Sequence, residues 1–356
     1  MAASYEVALI SRIPQASGFP LGAEINRLVA DTISYTDELN RPGSATLNCP
    51  VGSLTDDIKL RLRNLATLPT EAWIYRNGTI KWIGEIQTLG LSGQTVTINA
   101  VGLLGYTFRM GVTTDLVYTN VDQFTIAKGL VDHWQTLAYG HYGFETVGVG
   151  TSGVLRDRTY LRNELHNIGT RLTELAAVIN GFDFHVPPAT RALVLSYPQR
   201  GIDLSGSVFL DRLNIDSASV AMSVAPDDLV SDLSATGTSQ DTSGIGSTLY
   251  AERSTLAVRT SYGRSWAGQN YDGVSIPATL TGHADAYLAA RTGQLFQPGV
   301  TLVPRVGAEP GDFAPGDTVS YGYDAGLGEQ TAPFRVAKIK VDVGKEGRER
   351  MGVEFT

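Results

Sequence analysis

"WIYRNGTIKWIGEI", residues 73–86, decides how the rest of the chain is read. Asn77-Gly78 supplies the two positive backbone φ angles of a type I′ turn, whose twist matches that of the strands it joins. A two-residue loop sets Arg76 opposite Thr79, Tyr75 opposite Ile80 and Trp73 opposite Trp82. Strand side chains alternate, so Trp73, Tyr75, Ile80 and Trp82 are expected on one buried face, the core of the hairpin. Arg76, Thr79 and Lys81 fall on the other face with Ile74. A lone hairpin is marginal in water, so this one is expected in a larger antiparallel sheet.

Outward from the hairpin, residues 1–118 read as short alternating strands parted by turn clusters: "YEVALIS", "RLVADTISYTDEL", "SATLNCPV" and "TVTINAVGLLGY". Thirty-nine glycines in 356 residues fit many tight turns, as in sandwiches and barrels. "LTDDIKLRLRNLA" reads as a short helix or a loop carrying Asp56 and Asp57.

The period then lengthens. Phe124, Ala127, Val131, Trp134 and Leu137 recur at helical spacing, with Asn120 or Asp122 as cap and Gly140 as stop. Leu161, Leu165, Ile168, Leu172, Leu175 and Ile179 form a second stripe, with Gly181 placed as a left-handed cap. An α-rich subdomain over 119–185 follows from these two stripes. Strands return from "FDFHV" onward, interrupted by a helix near 282–296. The chain closes on a hairpin in which Ala337, Ile339, Val341 and Val343 alternate with Lys338, Lys340 and Asp342. Lys338 and Lys340 are the kind of charge that guards a sheet edge. The fold class expected is mainly β with α insertions (α+β).

Composition narrows the function. The chain is 42% hydrophobic and 18% charged, which suits a globular protein, and its 36 acidic against 28 basic residues give a net charge of −8. Such a balance, with no Lys/Arg-rich run, disfavours binding to phosphate backbones. Cys49 is the one cysteine, which excludes an intrachain disulfide. The first fifteen residues lack a basic stretch followed by an apolar one, and no apolar run approaches membrane-helix length, so a chain made in the cytosol with no membrane anchor is expected.

Chemical motifs are weak. Gly148, Gly150 and Gly153 match Gly-x-Gly-x-x-Gly, but charged residues follow where a dinucleotide fingerprint needs a helix, so a flexible loop is expected. The five histidines (133, 141, 166, 185 and 283) show no metal-ligand spacing, and no nucleophile elbow occurs. The adjacent pairs Asp56-Asp57 and Asp227-Asp228 read as turns or helix starts. No catalytic, metal or cofactor site is expected, and the chain is not read as an enzyme.

The order of segments carries more. "AWIYRNGTIKWIGEI", "AVGLLGYTFRM", "NVDQFTIAKGLVDHWQ" and "TSGVLRDRTYLRNELHNIGTRLTELAAVINGFDF" are followed by "ADAYLAARTGQ", "PGDTVSYGY" and "FRVAKIKVDVGKEGRERMGVEF". Together they resemble the minor tail proteins of siphophages that infect actinobacteria, which are similar to the baseplate hub, or tail-tip hub, family. The resemblance implies two tube-like antiparallel β-barrels with a helical subdomain between them. The first spans 1–118, completed by strands from about 190–225, and the second spans 186–356 with peripheral strands. It further implies a homotrimeric hub ring at the virion tail tip, continuing the tail tube and enclosing the DNA channel. A distal tail or tail tube protein would sit above and tip or fibre proteins below, with tape measure protein and DNA in the lumen. It also implies that extensions after the last barrel, where wall-cleaving functions sit in relatives, are missing. Two rivals remain: a carbohydrate-binding or glycan-cleaving β protein, suggested by 15 tyrosines and 4 tryptophans, and a hexameric distal tail ring.

Overall fold

A computed structural model of the chain describes residues 3–13, 15, 21–211, 213–223, 229–240, 246–271, 274, 277–292, 295–324 and 329–356. The chain divides into two compact units, 1–218 with 299–356, and 219–298.

The first unit begins with β1 (Tyr5–Arg12), β2 (Leu21–Leu28), β3 (Thr32–Glu38) and β4 (Ser44–Pro50), then α1 (Asp56–Arg63), β5 (Thr70–Arg76), β6 (Thr79–Ser92) and β7 (Thr95–Gly102). Thr55 caps α1 with Asp56 and Asp57 in its first turn, where carboxylates oppose the helix dipole. A helical segment follows, with β8 (Leu116–Asp122), α2 (Gln123–Gln135), β9 (Leu155–Tyr160), α3 (Ile168–Ala176), β10 (Asp183–His185) and β11 (Val194–Ser196). Asp122 caps α2 as the sequence suggests, its carboxylate accepting from the Phe124 amide. The second stripe is helical only from Ile168, and Leu165 is 90% exposed. The left-handed residue after α3 is Asn180 (φ 55), one before the Gly181 expected. Gly181 is needed for space, since a Cβ there would lie 1.8 Å from the Ala176 carbonyl oxygen.

Then come β12 (Phe209–Leu210), β13 (Ile215–Ser223), β14 (Asp232–Gln240), β15 (Gly246–Ser254), α4 (Leu256–Ser261), β16 (Trp266–Tyr271), α5 (Pro277–Ala289), β17 (Leu295–Leu302), β18 (Thr318–Asp324), β19 (Glu329–Val343) and β20 (Glu349–Phe355). In the second unit β14 pairs antiparallel with β15 and parallel with β16. Val230, Leu233, Ala235, Leu280 and Ala284 form its core beneath α5. That helix covers Pro277–Ala289, several residues before the 282–296 expected. Asp227 and Asp228 lie outside the described residues.

The main sheet has the order β13-β17-β20-β19-β3-β4-β7-β6-β5-β1-β2, with β18 joined to β19 and β12 to β18. Among the described residues none of the sheets closes into a barrel, so the two tube-like barrels expected from the sequence are not formed by closure of these strands. One pairing places both halves in a single sheet: β19 lies against β3 on one side and β20 on the other. It joins the closing hairpin to the amino-terminal strands over one core, which includes Leu47, Ile98 and Ile74 with Val341, Met351 and Tyr321. A second core, with Phe124, Leu130, Leu172 and Phe184, belongs to the helical segment. No helix among the described residues is long and apolar enough to cross a membrane.

The opening hairpin departs from its expected pairing. Asn77 and Gly78 have φ of 50° and 76°, as the turn requires, and Tyr75 faces Ile80. A register shift at Lys81 then sets Trp82 opposite Ile74 and Trp73 opposite Ile83. One inserted residue turns the following side chains to the other face. Trp82 therefore joins the main core, Trp73 and Ile80 pack on the helical core, and Tyr75 is half-buried. The four residues do not share one face.

Candidate functional site

The alternation of "TISYT", "SATLNC" and "TVTINA" divides the middle of the main sheet. Ile33, Tyr35, Leu47, Cys49 and Ile98 point into the core, and Thr32, Ser34, Thr46, Asn48, Thr97 and Asn99 form the opposite face. Polar side chains that small, side by side on neighbouring strands, satisfy one another. Thr46 Oγ1 donates to Asn99 Oδ1 at 3.0 Å, and Asn99 Nδ2 donates to Thr88 Oγ1 at 3.1 Å. In the next row Thr97 Oγ1 donates to Asn48 Oδ1, and Asn48 Nδ2 to Thr32 Oγ1, both at 2.8 Å. Two hydrogen-bonded ladders thus each cross three strands, β4-β7-β6 and β7-β4-β3.

Toward β19 and β20 the face gains charge in pairs. Lys340 meets Asp342 at 3.0 Å, Lys338 meets Glu354 at 2.9 Å, and Arg350 meets Asp216 at 3.3 Å. Ser34, Thr36, Thr46, Lys340, Asp342 and Arg350 line part of an open basin of about 1050 Å³ on this face. Behind it, burial raises the Cys49 thiol to about 11, so this cysteine is an inert core residue. Lys338 and Lys340 are not edge guards, because β19 is paired on both sides.

Three charged knots hold the sheet in place. Glu71 is fully buried and accepts from Arg12 Nη1 at 2.5 Å, Arg191 Nη1 at 3.0 Å, the Trp73 indole at 3.0 Å and the Tyr106 hydroxyl at 2.9 Å. Burial alone would raise its carboxyl, but Arg191 and Arg12 outweigh that and hold it below the ordinary range. Arg76 Nε meets Glu349 at 2.6 Å and its Nη2 meets Glu309 at 3.0 Å, and the Tyr5 hydroxyl donates to Glu349 at 2.5 Å. Burial raises Tyr5, and it pushes the neighbouring Tyr35 up to about 12. Asp183 accepts from Asn40, the Arg200 amide and Arg335, tying β10 to β19.

Each of these three carboxylates is paired with at least one arginine. Among the described residues no group of three His, Cys, Asp or Glu side chains is arranged to hold a metal. The Gly148–Gly153 loop is anchored by Asp122, which accepts from the Ser152 and Gly153 amides. The polar face was missed in the sequence reading, although its signal, Thr, Ser or Asn at every second position of three strands, lay in plain view.

No protein-family model matches this chain, and no curated protein matches its sequence. Solved structures do. A tail protein from Neisseria meningitidis aligns over 99% of this chain and 96% of its own, at 15% identity and TM-score 0.62. The 43 kDa tail protein of prophage MuSo2 from Shewanella oneidensis aligns over 99% and 98%, at 12% identity and TM-score 0.63. Prophage tail protein gp18 from Listeria monocytogenes aligns over 98% and 94%, at 13% identity and TM-score 0.56. The chain has the fold of these phage tail proteins.

Proposed function

We propose that this chain is a structural component of a phage tail, acting by assembly rather than catalysis. Its place would be a trimeric hub ring at the tail tip that continues the tail tube, with the polar sheet face toward the DNA channel. The observation that carries the reading is that face, on a fold shared from end to end with tail proteins. A conduit wall must not grip what passes through it. Unpaired Lys or Arg would bind phosphates, each contact adding salt-dependent affinity. Here the hydroxyl and amide groups are engaged along the wall, and Lys338, Lys340 and Arg350 each have a carboxylate partner.

The open sheet favours the same reading. β2 has a neighbour on one side only among the described residues, and an unpaired edge is a template for another chain. Two wall segments per chain, β3–β7 and β17–β20, would give a ring of three six segments to set against a six-fold tube above. The β6–β7 tip adds a contact, with Leu91 75% exposed. Rings need two different, complementary patches on each chain. The partners are then a distal tail or tube protein above, tip or fibre proteins below, and tape measure protein and DNA in the lumen. Native mass spectrometry of the purified chain tests this: three copies support it, six point to the distal ring, and a persistent monomer at high concentration refutes both.

A further inference from the structure

On the exposed face of the β15-β14-β16 sheet, we infer that Trp266 and Tyr250 form a binding platform for a pyranose ring of an uncharged polysaccharide. Trp266 is 66% exposed and Tyr250 60% exposed, unusual for rings of this size on a sheet. Both are held in place. The Trp266 indole N–H donates to Ser234 Oγ at 3.0 Å. The Tyr250 hydroxyl lies 3.2 Å from the same Ser234 Oγ and 2.7 Å from Glu252 Oε1. The indole packs close to Gly268, where an added Cβ would come within 2.9 Å of the ring. With its N–H tethered and its ring beside Gly268, Trp266 still leaves most of its surface to solvent.

The surroundings select the occupant. Serine, threonine, glycine, asparagine and glutamate flank the two rings, whereas the core of a protein interface is depleted in charge and packed with further apolar side chains. One face of a pyranose presents axial C–H groups that suit an aromatic plane, and its hydroxyl rim needs donors and acceptors beside that plane. Glu252 and Asn270 stand at that rim. This platform does not depend on the ring assembly proposed above, because all its residues lie within the second unit.

The test titrates the full chain with cellopentaose, chitopentaose and maltopentaose, following tryptophan fluorescence and heat. At least one pentasaccharide is expected to bind with a dissociation constant near ~1 mM. Trp266→Ala should weaken that binding at least tenfold, and Gly268→Val, which lifts the indole off the sheet, should do the same. Both variants should keep the parent's unfolding midpoint and native mass. No binding of any of the three at about 10 mM overturns the inference, as does binding that Trp266→Ala leaves unchanged. A shift in native mass on Trp266→Ala without pentasaccharide binding would make the face a protein contact instead.

Discussion

Arg12 and Glu71 are both fully buried and meet at 2.5 Å, with Arg191 donating to both oxygens of the same carboxylate. The contact joins β1 and β5 to the segment before β11, and the Tyr142 carbonyl accepts from both guanidinium groups at 3.1 and 3.2 Å. Removing one partner of such a cluster strands buried charge. Glu71→Gln should therefore destabilise the chain by about 3–5 kcal/mol, read from urea unfolding. A loss within the range of surface substitutions would show that the cluster holds nothing.

Trp82 occupies a slot between two glycines. A Cβ at Gly84 would lie 2.2 Å from its ring and 2.4 Å from the Val101 carbonyl oxygen, and one at Gly43 would lie 3.2 Å from its indole nitrogen. Trp82→Ala should cost about 3–5 kcal/mol by leaving a cavity. Gly84→Ala should also destabilise, through overpacking against backbone that cannot yield. An unchanged unfolding midpoint in either variant would contradict the packing.

Burial, with the nearby Arg200 charge, lowers the His185 imidazole to about 4 from its ordinary 6.5, against an opposing pull from Asp183. The unfolded chain then takes up the proton at a higher pH than the folded one. The stability tied to a neutral His185 is complete above pH 6.5 and drains away as pH falls from 6.5 through 4. Over that window the difference amounts to at most ~3 kcal/mol. His185→Asn should flatten the pH dependence of stability between pH 7 and pH 4 by up to that amount. Parallel curves for the two proteins would refute the assignment.

Thr46→Lys with Thr97→Lys should leave the fold intact, since both side chains stand on the polar face. The assembled variant should retain double-stranded DNA at low salt, with each new phosphate contact steepening the salt dependence by roughly 0.9 in the logarithmic slope. The parent should release DNA under the same conditions. A parent that binds as tightly as the variant would remove the argument for a low-adhesion wall.

Leu91→Glu at the β6–β7 tip should lower the oligomer's native mass while the unfolding midpoint of the single chain stays within the ±0.5 kcal/mol of surface changes. An unaltered assembly would exclude this tip from the ring contact.

Much of the local structure was legible. Asn77-Gly78 forms the turn its composition demands, and α2 begins at its Asp122 cap. Leu47, Cys49 and Ile98 are buried between Thr46, Asn48 and Asn99, as strict alternation requires. The register slip at Lys81 was not legible, because a bulge inserts one residue without any local mark and reassigns Trp82 from the partner Trp73 to Ile74. Lys338 and Lys340 looked like guards of an edge for a related reason: alternation reveals a strand's two faces and nothing about its lateral neighbours.

By itself, then, the amino-acid order determined which segments extend, which coil and which side chains seek the interior, since these depend on neighbours within a turn or a pleat. Tertiary structure alone decided that β19 lies against β3, that the sheet stays open, and that Trp266 faces solvent. Joining strands some three hundred residues apart changes the loop-closure cost only logarithmically with length. Local signals therefore barely rank one distant partner above another, and the choice falls to the fit of the whole packed core.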